Sequence, residues 1–145
     1  KMSAIIFSIP GPPQGKARPK VMRLKNGFSH TYTPDKTVAY EELVRCRYQA
    51  AAQGFHFQDG AQVEIQIIAR YTIPKSTSKK KRVAMLAGQI LPTKKPDCDN
   101  VVKIICDALN GFAYKDDQQI VKAFIVKKYA AVPQVDVRLS EVTSP

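Results

Sequence analysis

The chain has no tryptophan and only three cysteines, Cys46, Cys98 and Cys106, in 145 residues. They are odd in number, scattered, and form no C-x-x-C pair. This argues against a disulfide framework or a structural zinc site and fits a reducing compartment. Cys106 reads as core and Cys98 as a small filler. No apolar run approaches the roughly 20 residues that span a bilayer, and no signal-peptide pattern precedes the first strand. No membrane association and a cytoplasmic location are therefore expected. Neither G-x-x-x-x-G-K-[ST] nor G-x-G-x-x-G occurs, which leaves nucleotide binding without support. His30 and His56 lack ligand spacing. Negative charge is also scarce: 12 Asp and Glu face 23 Lys and Arg, for a net charge of +11. That balance suits a polyanionic partner, because Lys and Arg contacts to phosphates release condensed counterions. A basic but merely solvated surface is the plainer alternative.

The few acidic residues are not spread evenly. Five of the twelve, Asp97, Asp99, Asp107, Asp116 and Asp117, fall within PDCDNVVKIICDALNG (Pro96 to Gly111) and the YKDDQQI that follows it. Carboxylates gathered in this way repel one another unless they are solvated or hold a cation.

The length fits one domain, 1–145, and a hydrophobic content of 44% is that of a globular chain. SAIIFSIPG (Ser3 to Gly11) reads as a first strand. PPQGKARPKVMRLKNG, rich in Pro, Gly, Lys and Arg, reads as no regular element but as an exposed loop or loose hairpin, and FSHTYT as a short strand. Pro34 and Asp35 open an amphipathic helix from about Lys36 to Gln53, which Gly54 stops. AQVEIQIIARYTI (Ala61 to Ile73) alternates as a half-buried strand. Ser76 or Thr77 is placed to cap a short basic helix. In the helix that begins near Asp97 or Asp99, Val101, Ile104, Ile105, Ala108 and Leu109 recur at core-facing spacing, and Asn110-Gly111 ends it. Gln119 to Ala130 and Pro133 to Val142 read as the closing strands. The class is α+β, a mixed sheet with flanking helices.

Two accounts of the acidic region compete. In the first, Asp97 or Asp99 is an N-cap and Asp99, Lys103 and Asp107, spaced i, i+4, i+8, form a surface ion-pair ladder. That leaves Asp116 and Asp117 unexplained. In the second, a D-x-D pair and a neighbouring acidic dipeptide give hard oxygen ligands for Mg²⁺, which takes one or two carboxylates plus waters and phosphate oxygens. Such an ion generates a hydroxide nucleophile and neutralises charge in phosphodiester hydrolysis. Lys103 is then placed to meet the phosphate. Two basic clusters, one holding Lys16, Arg18 and Lys20 and the other Lys79, Lys80, Lys81 and Arg82, are candidate nucleic-acid contacts.

KPDCDNVVKIICDALNGFAYKDDQQIV resembles the signature of the RusA family of Holliday-junction resolvases, whose pattern runs P-D-x-D-N-x-x-K, D-A-L-N-G, then D-D-x-Q-[IV]. GPPQGKARPK and YTPDKTVAYEE extend the likeness more loosely. The resemblance implies a homodimeric, Mg²⁺-dependent endodeoxyribonuclease that nicks two opposing strands of four-way junction DNA, with a prophage role among its expectations. It carries the catalytic carboxylates to Asp97, Asp99 and Asp117 and the essential lysine to Lys103. Asp116 is an additional metal-ligand candidate, and Asp107 falls on the D-A-L block with a structural role. The alternatives are a non-catalytic basic nucleic-acid-binding module, and a metal-dependent nuclease for other branched or single-stranded DNA.

Overall fold

The computed structural model describes residues 4–142 of the chain; Ser3, at the edge of the expected first strand, lies outside them. Strands β1 (Ile5–Pro10), β4 (Val63–Thr72), β5 (Ile120–Ala130) and β6 (Gln134–Glu141) form one sheet in the order β1-β6-β4-β5. β6 runs antiparallel to β1 and β4, while β5 pairs parallel with β4, so the sheet is mixed as the sequence suggests. The parallel pair needs a crossover, and α2 (Lys79–Leu86) and α3 (Cys98–Ala108) provide it.

Strict alternation along β4 buries Val63, Ile65, Ile67, Ala69 and Tyr71 and leaves Glu64, Gln66, Ile68 and Arg70 half-buried. In register beside them stand Val135, Val137 and Leu139 of β6, also buried. Helix α1 (Asp35–Ala52) packs on β1 and α3, and α3 packs on β5. Val101, Ile104, Ile105 and Leu109 are fully buried beneath α3. Each adds about 1.5–3 kcal/mol relative to exposure. This apolar seam fixes which stripe of α3 is left for chemistry.

On the other face of the sheet, Asp136 accepts from Ser8 Oγ at 2.7 Å and Gln134 Nε2 at 2.7 Å, and pairs with Arg70 Nε at 2.9 Å. Partial burial pushes its carboxyl upward, but these three partners outweigh burial and hold it below the ordinary carboxylate range.

Two expectations are corrected here. The basic stretch after β1 is not without regular structure. Of the loop and the loose hairpin expected there it forms the hairpin, β2 (Lys20–Arg23) pairing antiparallel with β3 (Ser29–Tyr32), the short strand expected in FSHTYT, as a separate two-stranded sheet. Asn26-Gly27 makes the turn, with Gly27 at φ +86 and Phe28 N–H donating to Asn26 Oδ1 at 3.1 Å. Asn-Gly is a strong hairpin signal. The cap of α2 is Ser78, whose hydroxyl accepts from Lys81 N–H at 3.3 Å. Thr77 belongs instead to a turn closed by its N–H on the Pro74 carbonyl. Among the described residues no helix is long and apolar enough to cross a membrane.

Candidate active site

The approach to α3 is pinned from the sheet. Tyr71 Oη donates to the Pro96 carbonyl at 2.6 Å, and Lys127 Nζ to the Lys94 carbonyl at 2.6 Å. Asp97 follows as the N-cap, at φ −70 and ψ 158, and its side chain makes no cap hydrogen bond. Asp99 lies exposed in the first turn. One and two turns on, Lys103 and Asp107 continue its stripe, with Lys103 Nζ 3.7 Å from Asp107 Oδ2.

The chain then folds back on this helix. Gly111 adopts φ +78 and donates to the Tyr114 carbonyl at 2.8 Å, while Tyr114 Oη donates to the Cys106 carbonyl at 2.8 Å. A left-handed residue is needed at that point, and glycine takes it without the penalty a Cβ brings. Asn110 Oδ1 accepts from Asp117 N–H at 2.8 Å, clipping the returning segment to the end of α3. Asp116 caps the 3-10 turn Asp117–Gln119, accepting from Gln118 N–H at 2.9 Å. Gln119 Oε1 receives the Lys115 and Asp116 amides, and its Nε2 donates to the Gln58 and Ala61 carbonyls. The spacing from D-A-L-N-G to D-D-x-Q is therefore the length of one folded-back loop.

The outcome is an open cleft of about 400 Å³ between α3 and the start of β5. Asp99, Lys103, Asp107 and Asp117 line it above an apolar floor of Val102, Cys106, Ile120 and Ile125. Partial burial, then hydrogen bonding and charge from Asp107 and Asp116, push the Asp117 carboxyl above its ordinary value. Burial pushes Asp107 upward too. There the Lys16 hydrogen bond and charge, with Lys103 and Asp117, prevail and hold it below the usual range. Burial pushes the Cys106 thiol up to about 12, which keeps it a neutral part of the floor.

Asp97 does not line this cleft; it stands at the helix start toward Tyr71, whose hydroxyl is pushed up to about 12 by burial and then by Cys98 and Asp97. Asp116 is exposed and borders a different hollow with Asp59 and Lys115. Among the described residues no group of three or more His, Cys, Asp or Glu side chains is gathered tightly enough to hold an ion. The arrangement suits an ion that takes one or two carboxylates and completes its shell with water and phosphate oxygens.

Lys16 departs from the expected solvent-facing placement: its ammonium reaches Asp107 Oδ2 at 2.7 Å and Glu41 Oε2 at 3.4 Å. Arg18, Lys20, Lys79, Lys80, Lys81 and Arg82 are exposed, with no carboxylate within 4 Å among the described residues. Lys20 also borders a hollow of about 470 Å³ with Lys36 and Lys95, two cations that no sequence pattern singles out. Asn110 is a further positioning group that the sequence conceals. Its place seven residues before Asp117 is the available signal, hidden by the plainer reading of Asn-Gly as a helix stop.

The sequence profile of the RusA endodeoxyribonucleases matches residues 10–140. An uncharacterized protein of Bacillus subtilis (strain 168), YqaN, is 32% identical over 143 residues, a span covering 99% of this chain and 100% of that protein. That profile spans nearly the whole chain, and the chain belongs to the RusA endodeoxyribonuclease family.

Proposed function

We propose that this protein is a Mg²⁺-dependent endodeoxyribonuclease that resolves four-way DNA junctions by paired nicks, acting as a homodimer. The observation that carries the reading is the convergence of Asp99, Lys103 and Asp117 on one open cleft in a chain of net charge +11. Asp99 and Asp117, which line the cleft, would hold the ion, and Asp97, outside the cleft lining at the helix start and free of capping bonds, would be a further carboxylate for it. A bound Mg²⁺ supplies charge neutralisation and an activated water. Lys103, with its side chain 62% exposed, reaches from the stripe toward a phosphate and offsets its developing charge. Val102, Ile120 and Ile125 give the cleft an apolar floor beneath the carboxylates. Asp116 serves the site by fixing the turn that carries Asp117.

The exposed cations of α2, and Arg18 and Lys20 on the hairpin side, hold the DNA backbone, and junction choice rests on shape and phosphate positions. A two-fold protein matches a two-fold substrate and delivers two symmetric nicks. Replacing Lys79, Lys80 and Lys81 together by Ala lowers the salt slope of junction binding by about 3, near 0.9 for each phosphate no longer neutralised. An unchanged slope removes α2 from the DNA path.

The deciding experiment is cleavage of a labelled synthetic four-way junction beside linear duplex of the same sequence, with Mg²⁺, with EDTA, and with Asp97→Asn protein. Paired Mg²⁺-dependent nicks confined to the junction and lost in the variant support the proposal. Cutting of flaps or single strands instead moves the substrate, and binding without cutting under every metal condition overturns the nuclease reading.

A further inference from the structure

We infer that Lys16 is a positioning residue whose ammonium fills the cation position between Glu41 and Asp107, confining divalent-ion uptake to the Asp99–Asp117 side of the cleft. The inference rests on the metal-dependent nuclease reading and adds a residue outside its catalytic set.

Lys16 meets carboxylates from two helices, Glu41 of α1 and Asp107 of α3, and the three side chains are only 27%, 14% and 20% exposed. Such a pair of half-buried carboxylates is the setting in which a hard cation binds, and an ammonium competes for the same oxygens. The lysine is also held in place from both sides. Ala17 N–H donates to the hydroxyl of buried Thr37 at 3.3 Å. At Gly15 the backbone runs so close to α3 that a Cβ there would sit 3.1 Å from both Asn100 Cβ and Pro96 Cβ. The loop thus lies along the same α3 stripe that carries the site and delivers one cation to its far end.

Lys103 does not do the same work. Its Nζ is 3.7 Å from Asp107 and its side chain is largely in solvent, which leaves it for substrate. If Lys16 is removed, Glu41 and Asp107 lose their close counter-charge beside Asp117, and a divalent ion is drawn to the wrong end of the cleft.

The test is Mn²⁺ titration, read as free ion by electron paramagnetic resonance, on wild type, Lys16→Met and Lys16→Met/Asp107→Asn, with junction cleavage measured on the same samples. Lys16→Met is expected to take up Mn²⁺ roughly tenfold more tightly, or one further ion, because a competing positive charge has gone. Its cleavage falls about tenfold, through misplacement of the ion. The double variant returns uptake to the wild-type level, and Lys16→Arg, which keeps the charge, stays near it throughout. A merely structural lysine lowers uptake and cleavage together, so equal or weaker uptake by Lys16→Met overturns the inference. Loss of junction affinity with a salt slope reduced by about 1, unrelieved by Asp107→Asn, also overturns it and makes Lys16 a direct phosphate contact. If Lys16→Met does not fold, Lys16→Gln is read in the same way. Wild-type protein that takes up no Mn²⁺ and cuts no junction overturns the nuclease reading as well. An active wild type with unchanged uptake in the variant overturns only the role of Lys16.

Discussion

Asp97 precedes α3 and Asp116 precedes the 3-10 turn at Asp117–Gln119, both at the N-cap position in extended backbone conformation. Asp116 accepts from Gln118 N–H and completes a capping box with Gln119. Asp97 makes no such bond, and Asp99 follows in the first turn without replacing it. Both lie in the favourable field of free N–H groups, which stabilises negative charge whatever its purpose. Position alone therefore does not tell the two carboxylates apart; their hydrogen bonds do. Asp116 is engaged by its own turn, and Asp97 is left with its oxygens available.

The widest separation comes from neutralising each carboxylate in turn. Asp97→Asn, Asp99→Asn and Asp117→Asn are each expected to lower junction cleavage by about 10³-fold or more while binding persists, since each removes charge from the ion's ligand set. Binding and circular dichroism on the same samples check this. Loss of folding in all three returns them to structural roles.

Asn110→Ala comes next. It removes the acceptor for the Asp117 amide and leaves the carboxylate itself in place. Cleavage should drop about tenfold, as expected when a reacting group is held less well. Wild-type cleavage in Asn110→Ala would show that the 3-10 turn alone holds Asp117.

Asp116 gives a smaller effect with a different pattern. Asn caps as well as Asp, so Asp116→Asn should cut junctions within a few-fold of wild type, whereas Asp116→Ala loses about 1 kcal/mol of stability. Thermal unfolding beside cleavage distinguishes the two. Abolished cleavage in Asp116→Asn with stability intact makes it a metal ligand and erases its contrast with Asp97.

Much of this was legible in the sequence. The alternation of β4 and the i, i+3, i+4 seam of α3 are periodic signals that depend on burial, and burial is what the sheet and its helices provide. The stripe Asp99, Lys103, Asp107 follows from the same geometry. What periodicity could not supply was the long-range half of the site. Lys16 and Asp107 lie 91 residues apart, and a lysine in a basic run looks like a solvent-facing phosphate contact until the packing of Gly15 against Pro96 and Asn100 is known. The resemblance already set Asp117 apart from Asp116, but the capping bond that engages Asp116 in its own turn was not visible in the sequence.

The smallest effect is one of stability, and its sign follows from the neighbours of the two cleft carboxylates. Asp117 lies above the ordinary value of 3.8 through burial and the pressure of Asp107 and Asp116. A raised value in the fold means a stabilising contribution complete below the unfolded value and lost as pH climbs through the folded one. In EDTA at pH 7, Asp117→Asn should therefore raise the Tm by about 1–3 °C, a gain that vanishes below the unfolded value. Asp107 runs the other way. Against burial, Lys16 and Lys103 hold it below 3.8, so its contribution is present above that value and lost as pH falls through the folded one. Asp107→Asn should lower the Tm at pH 7 for that reason. Calorimetry of both variants at pH 7 and at low pH compares the signs directly. Opposite signs mean that the metal-free fold tolerates Asp117 at a cost while being held together by Asp107; a loss of stability in both at pH 7 would make Asp117 one more structural carboxylate.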